Sequence, residues 1–257
     1  MPAGLSTPPQ PWTLMTARLL APIVVLLAGC SAPDPCEEAA DDALAPCLEP
    51  SRSMEYYAEQ SSGYFDTMDT AADRDIVPPY SPLVARWEWP PWLKLTAFGY
   101  ENILSADRIL RLYPSTIPVR ECRGFDTHPF GRCYVTFHYE DEAHAGRGCP
   151  IYEEFTFNDA GEITFIEAWS DLPEYLPMAD PMDTWAEGEV VRLSSRMPGL
   201  GNESGLIDLD GEAMAAAMVV DRDVRDFVER ANDWFPTWSA ELDAAGDAIW
   251  PVGCGWE

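Results

Sequence analysis

The chain has 257 residues, and its 44 Asp and Glu against 16 Lys and Arg leave a formal net charge of −28. Such a surface repels phosphate backbones and anionic headgroups, which argues against a nucleic-acid partner. Ten Trp, ten Tyr and ten Phe supply ample apolar area, so the chain reads as folded rather than disordered. Lys94 is the only lysine, and the acidic residues are spread along the chain. That spread reads as a solvated surface suited to salt in preference to a dedicated cation or basic-partner site.

Residues 19–28 form the one strongly apolar leader, preceded by a single charge, Arg18. A bilayer-spanning helix needs roughly twenty residues, and Pro22 would disturb one, so the run reads as a secretion signal. It ends in Leu27-Ala28-Gly29-Cys30, which resembles the lipobox of bacterial lipoproteins. The resemblance implies cleavage before Cys30, a diacylglycerol on its thiol and acylation of its new amino group. A membrane partner thus enters through the lipid on Cys30, since each buried CH₂ contributes about 0.8 kcal/mol and more than one acyl chain anchors stably. Ser31 stands where an aspartate would hold such a protein in the inner membrane. The family then implies the outer membrane, facing the periplasm, in a cell that has one. Residues 1–14 are Pro-rich and polar, so Met15 makes a better start than Met1.

With Cys30 set apart, Cys36, Cys47, Cys122, Cys133, Cys149 and Cys254 remain. An even number in an exported chain reads as up to three disulfides, with fifteen pairings open. Cys122 and Cys133 flank a turn-like stretch and could staple a hairpin. Cys36 and Cys47 bracket an acidic segment and could close a local loop, which leaves Cys149 and Cys254 to tie the C-terminal tail to the body. No Cys-x-x-Cys or Cys/His spacing fits zinc, and neither a metal nor a cofactor is expected.

Residues 31–50, rich in Ala, Asp, Glu and Pro, read as a tether. A helix starts near Ser53, with Tyr57, Tyr64, Phe65 and Met68 at helical spacing and Ala71-Ala72 closing the pattern. Pro78, Pro79 and Pro82 predict an irregular stretch, followed by a short strand at Trp87-Glu88-Trp89. A second helix covers residues 100–113, with Ile103, Ile109, Leu110 and Leu112 on or near its buried side.

From residue 116 to 171 the period becomes two. Cys133, Val135, Phe137 and Tyr139 alternate with Tyr134, Thr136 and His138. Ile151, Glu153, Phe155 and Phe157 repeat the pattern, and Ile163, Phe165, Glu167 and Trp169 continue it beyond a turn at Asn158-Asp159-Ala160-Gly161. Two helices followed by four antiparallel strands predict an α+β fold with helices on one face of a curved antiparallel sheet.

This order resembles the NTF2-like (SnoaL-like) cone. The run Phe155-Thr156-Phe157-Asn158-Asp159-Ala160-Gly161-Glu162-Ile163 is similar to that family's penultimate hairpin, and Trp169-Ser170-Asp171 to the aromatic-x-Asp closing its last strand. The likeness covers residues 53–175. It implies an apolar pocket between sheet and helices, used by some members as cyclases, isomerases or dehydratases and by others only to bind. In the cyclase branch an aspartate matching Asp171 works with a histidine on the neighbouring strand. Here that strand offers Glu153 and Glu154, and His138 lies one strand earlier.

Carboxyls in an aromatic pocket can serve as general acids or bases when desolvation raises their pKa. Asp171, Glu167, Glu153 and His138 are therefore the catalytic candidates, each weighed against an ordinary place on a solvated strand face or at a turn.

Beyond the cone, Asp210 reads as the N-cap of a helix over residues 212–220. A further helix from about Asp221 carries Val224, Phe227, Val228 and Ala231 on one face. Trp234, Phe235 and Trp238 follow as an aromatic cluster. This gives a signal peptide (residues 1–29), an acidic tether (30–52), an NTF2-like domain (53–175) and a mainly helical extension (176–257). The extension is expected to pack on the cone, covering its pocket or standing in for a dimer partner. Two functions fit: non-catalytic binding of an apolar small molecule or an envelope protein, or a SnoaL-like cyclase, isomerase or dehydratase using Asp171.

Overall fold

The computed structural model describes residues 50–73, 75–89, 97–110, 114–126, 128–140, 142, 144–172, 184–185, 200, 207–245 and 249–256. The leader, Cys30, and the expected Cys36 to Cys47 loop lie outside the described residues.

Helix α1 spans Met54–Tyr64. Ser53 caps it as the sequence suggests: its backbone is extended and its Oγ accepts from the Tyr56 N–H at 3.2 Å. The helical pattern was expected to continue through Met68 to Ala72, but the chain tightens into a 3₁₀ turn at Phe65–Thr67. Two contacts accompany the change, one local and one to the start of β3. The Thr67 hydroxyl turns back onto the Tyr64 carbonyl at 2.9 Å, and Asp69 leaves the helix to bridge Ser115.

Strand β1, Tyr80–Glu88, is a second correction. It begins well before Trp87 and absorbs Pro82, whose missing N–H falls where the β1–β6 register shifts between Tyr80 and Ala85. Strand β2 is the two-residue Ala97–Phe98. Helix α2, Tyr100–Leu110, is described to a point three residues short of its expected end.

Four long antiparallel strands follow as expected: β3 (Ser115–Gly124), β4 (Phe130–Tyr139), β5 (Gly148–Phe157) and β6 (Ile163–Ser170). Gly161 sits at φ 83° in the β5–β6 turn, where a Cβ would be strained. The full order is β2-β1-β6-β5-β4-β3. The sheet is mixed, not purely antiparallel, because β1 runs parallel to β6. The α+β class and the cone-like order of helix, strand, helix and long antiparallel strands stand as the sequence implied.

Alternation along the strands sends side chains into two layers. On the inner face, Val84, Val135, Ile151, Phe155 and Ile166 pack with Tyr57, Tyr64 and Phe65, and with Ile103 of α2. Helix α1 lies close because glycines face it. A Cβ on Gly131 would stand 2.5 Å from Ser61 Oγ and 3.0 Å from the Tyr57 carbonyl oxygen.

The outer face carries Ala85, Trp87, Tyr152, Phe165 and Trp169 under the C-terminal elements. These are α3 (Glu212–Val220) and α4 (Arg222–Ala245), and a last helix, α5 (Ile249–Cys254), follows them in the chain and returns to the inner side. Gly211, not Asp210, occupies the N-cap of α3, since its N–H closes a turn onto the Asp208 carbonyl at 3.2 Å. The predicted apolar face of α4 is real: Val224, Phe227, Val228 and Ala231 are buried against the sheet. Phe227 alone meets Trp87, Trp89 and Phe165 edge-on at 5.2–5.8 Å, and each fully buried ring of this kind contributes roughly 1.5–3 kcal/mol. The α4 helix therefore covers the face opposite α1 and α2. Trp234, Phe235 and Trp238, expected to cluster, lie on α4, and their side chains are outside what is described.

Candidate functional site

Both disulfides suggested within the described residues are present. Cys122 joins Cys133 across the directly paired strands β3 and β4. Cys149 joins Cys254, bringing α5 back to β5 on the inner side, where the Trp256 indole donates to the Gly148 carbonyl at 2.7 Å.

The inner layer holds a polar chain that links four elements. Arg86 of β1 is fully buried, and its Nη1 donates to the Tyr64 hydroxyl at 2.8 Å and to Asp107 Oδ1 at 2.7 Å. The Tyr80 hydroxyl donates to Asp107 Oδ2 at 2.8 Å. Glu153 of β5 is buried beside them, and its carboxyl is pushed well above the ordinary value of 4.5. Desolvation is the main cause, nearby Glu88 adds to it, and Arg86 and a hydrogen bond with Tyr64 oppose it. Glu153 Oε2 has no hydrogen-bond partner among the described residues. Burial of this kind favours the protonated form of the carboxyl.

Around this chain the layer is filled by rings. Tyr64 meets Phe155 at 4.9 Å, Phe65 meets Phe155 at 5.9 Å, and Tyr57 meets Phe157 at 4.9 Å.

The remaining candidates do not join Glu153. Glu167 has the opposite parity and faces α4, accepting from the Trp89 indole at 2.9 Å and from Arg230 at 2.8 Å. It is a buried pairing group that docks the helix on the sheet. Asp171 follows β6 on the same outer side, half-buried, with its carboxyl raised by desolvation while a hydrogen bond with Tyr134 opposes that rise. His138 alternates with the inner residues Phe137 and Tyr139 and so shares the outer side with Tyr134. No hydrogen bond joins His138 to Asp171 among the described residues. Glu153 and Asp171 thus lie on opposite faces of one sheet.

Arg86, Asp107 and Tyr64 were missed by sequence reading. The signal was there. Arg86 shares the parity of Val84 in an otherwise apolar run, and Asp107 sits four residues after buried Ile103, on the same helix face. Among the described residues, no cluster of three His, Cys, Asp or Glu could hold a metal ion.

No known family profile matches the sequence, and no curated protein matches it. Similar solved structures include SalBIII, an epoxide hydrolase/cyclase-like enzyme with a role in pyran ring formation in the polyether salinomycin. It is 14% identical and has a TM-score of 0.36, the match covering 45% of this chain and 91% of that one. A Mesorhizobium loti protein assigned as a SnoaL-like polyketide cyclase is 12% identical with a TM-score of 0.34, covering 44% and 97%. A protein of unknown function with a cystatin-like fold from Methylobium petroleophilum is 16% identical with a TM-score of 0.37, covering 52% and 86%.

Proposed function

We propose that this chain is an exported, lipid-anchored binding module that holds a small molecule or an envelope protein without transforming it. The observation that carries the reading is the separation of its acid–base groups. Glu153 is sealed among rings in the inner layer, Glu167 is tied to Arg230, and Asp171 sits on the far face. General acid–base chemistry needs such groups within reach of one substrate, and these three do not converge. The two disulfides support export, since cross-links of this kind persist in oxidising compartments. Cys30 is the proposed anchor, in the outer membrane facing the periplasm where the cell has one.

Native mass spectrometry of the protein purified from its own envelope tests the binding reading. A co-purified molecule or protein that is recovered unchanged after incubation supports it. Conversion of that molecule, abolished by Asp171→Asn, would establish the second reading, a SnoaL-like cyclase, isomerase or dehydratase. That reading draws on one observation, the raised Asp171 carboxyl beside the Tyr134 hydroxyl. The anchor has its own test: a Cys30→Ala chain that still incorporates labelled palmitate would overturn it.

A further inference from the structure

An open groove of about 360 Å³ lies at one end of the sheet, lined by Arg147, Gly148, Gly255 and Trp256. That volume is in the range of small-molecule sites. Both walls are fixed. Gly148 precedes Cys149 and Gly255 follows Cys254, so the Cys149–Cys254 disulfide ties the two glycines from one residue away. The Trp256 indole donates to the Gly148 carbonyl at 2.7 Å, and the Trp256 backbone N–H to the Pro251 carbonyl at 2.8 Å. A Cβ on Gly148 would stand 2.8 Å from Thr136 Cγ2, so this wall stays bare backbone. The chain enters the domain at the other end of β5, where Ser51 and Arg52 donate to the Asp159 and Ala160 carbonyls of the β5–β6 turn.

The groove carries one cation whose hydrogen-bonding edge is unused. Arg147 is exposed, and its guanidinium carbon lies 5.4 Å from the Trp256 ring centroid. Arg123 and Arg230 sit closer over their own tryptophans, at 4.2 Å and 4.1 Å. Each of those two also holds a carboxylate, Arg123 that of Glu121 and Arg230 that of Glu167. Arg147 has neither an ion pair nor a side-chain hydrogen bond among the described residues. Contact with a ring takes the face of a guanidinium, while its N–H groups lie in its plane and stay available to an acceptor. The His144 ring also packs on Trp256, at 5.4 Å, so the indole serves as a support and not as a binding face.

We propose that this groove binds a small molecule bearing one carboxylate, with Arg147 as its anchor. A guanidinium presents paired N–H donors that match the two oxygens of a carboxylate. Among the described residues Arg147 is the only cationic side chain lining the groove, which suits a single negative charge. A phosphate dianion would face the chain's net charge of −28 with no second cation to offset it. At 0.15 M ionic strength the Debye length is about 8 Å, so the wider acidic surface weighs little on a ligand touching Arg147. The bare backbone at Gly148 and Gly255 lets the body of the ligand lie against the main chain. The inference rests on the binding-module reading and adds to it a ligand class and a place.

Saturation-transfer NMR on the full-length protein in a nonionic detergent tests it, with benzoate and its neutral isostere benzamide as probes and detergent alone as the blank. Saturable benzoate binding is expected, with benzamide weaker by about tenfold or more. Arg147→Gln should bring benzoate down to the benzamide level while melting like the wild type, because the side chain is exposed. Equal binding of the two probes, no saturable benzoate binding, or undiminished benzoate binding by Arg147→Gln overturns the site. The two-probe comparison uses the wild-type protein, so it decides even where the variant fails to fold. Failure here removes the groove and leaves the module reading intact, whereas conversion of a co-purified molecule removes the module reading and leaves the groove.

Discussion

Arg86 and Asp107 meet at 2.7 Å with their side chains 0% and 4% exposed, joining β1 to α2 inside the inner layer. A charge buried this way is tolerable only while its partner remains. Replacing Asp107 with Ala strands the guanidinium and removes an acceptor of both Arg86 and Tyr80. The expected loss is about 3–5 kcal/mol, read as a lower urea midpoint. A double change, Arg86→Met with Asp107→Leu, should recover much of it, and an equally unstable double variant would contradict this account of the cost.

Glu153 gives stability a pH dependence of known sign. Its folded pKa is raised above the ordinary 4.5, mainly by desolvation. Below that ordinary value both folded and unfolded chains hold the proton, and the full stability is present. As pH rises toward the folded pKa, the unfolded chain ionises first, so stability is lost by up to about 1.4 kcal/mol per pH unit. Glu153→Gln removes this loss. The variant should melt with the wild type near pH 4 and at a higher temperature at pH 7, and the reverse order would show an ionised, well-paired Glu153.

Gly131 of β4 and Ser61 mark a close approach of α1 to the sheet. A Cβ at Gly131 would lie 2.5 Å from Ser61 Oγ, and that hydroxyl has no hydrogen-bond partner among the described residues. Gly131→Ala is therefore expected to cost about 1–3 kcal/mol by overpacking. Ser61→Ala alone should be neutral or stabilising, and it should relieve part of the Gly131→Ala penalty because the nearest clashing atom is gone. Strict additivity in a double-mutant cycle would rule out this contact as the cause.

The two disulfides close loops of very different length. Cys149 and Cys254 are 105 residues apart in sequence, Cys122 and Cys133 only 11. Chain-entropy reasoning puts the long link near 4.7 kcal/mol and the short one near 3 kcal/mol. Paired Ser replacements should lower the denaturant midpoint in that order. The long link should also leave Trp256 more exposed when removed, seen as a red shift of tryptophan emission.

Much of this architecture was legible because period-two runs and turn residues act locally. The alternation of Cys133, Val135 and Phe137 with Tyr134, Thr136 and His138 described β4 correctly, and Gly161 marked the turn between β5 and β6. The face of α4 was readable from the spacing of Val224, Phe227, Val228 and Ala231 alone. Pro82 misled because a proline forbids a ladder bond only where one is needed, and a register shift spared it. Pairing Cys122 with Cys133 needed only their positions around one hairpin, but pairing Cys149 with Cys254 relied on what was left over.

The amino-acid sequence by itself determined the acidic composition, the apolar run before Cys30, the antiparallel run and the residue types available for chemistry. These follow from composition and from periodicities set by neighbours along the chain. Only the tertiary structure decided which carboxyls share a space. Parity along one strand is readable, but the face it points to depends on which helices cover the sheet. Here α1 and α2 enclose Glu153, α4 claims Glu167, and Asp171 is left with Tyr134 on the far side. Burial and partner set a pKa and a role, and both are properties of contacts between residues far apart in sequence.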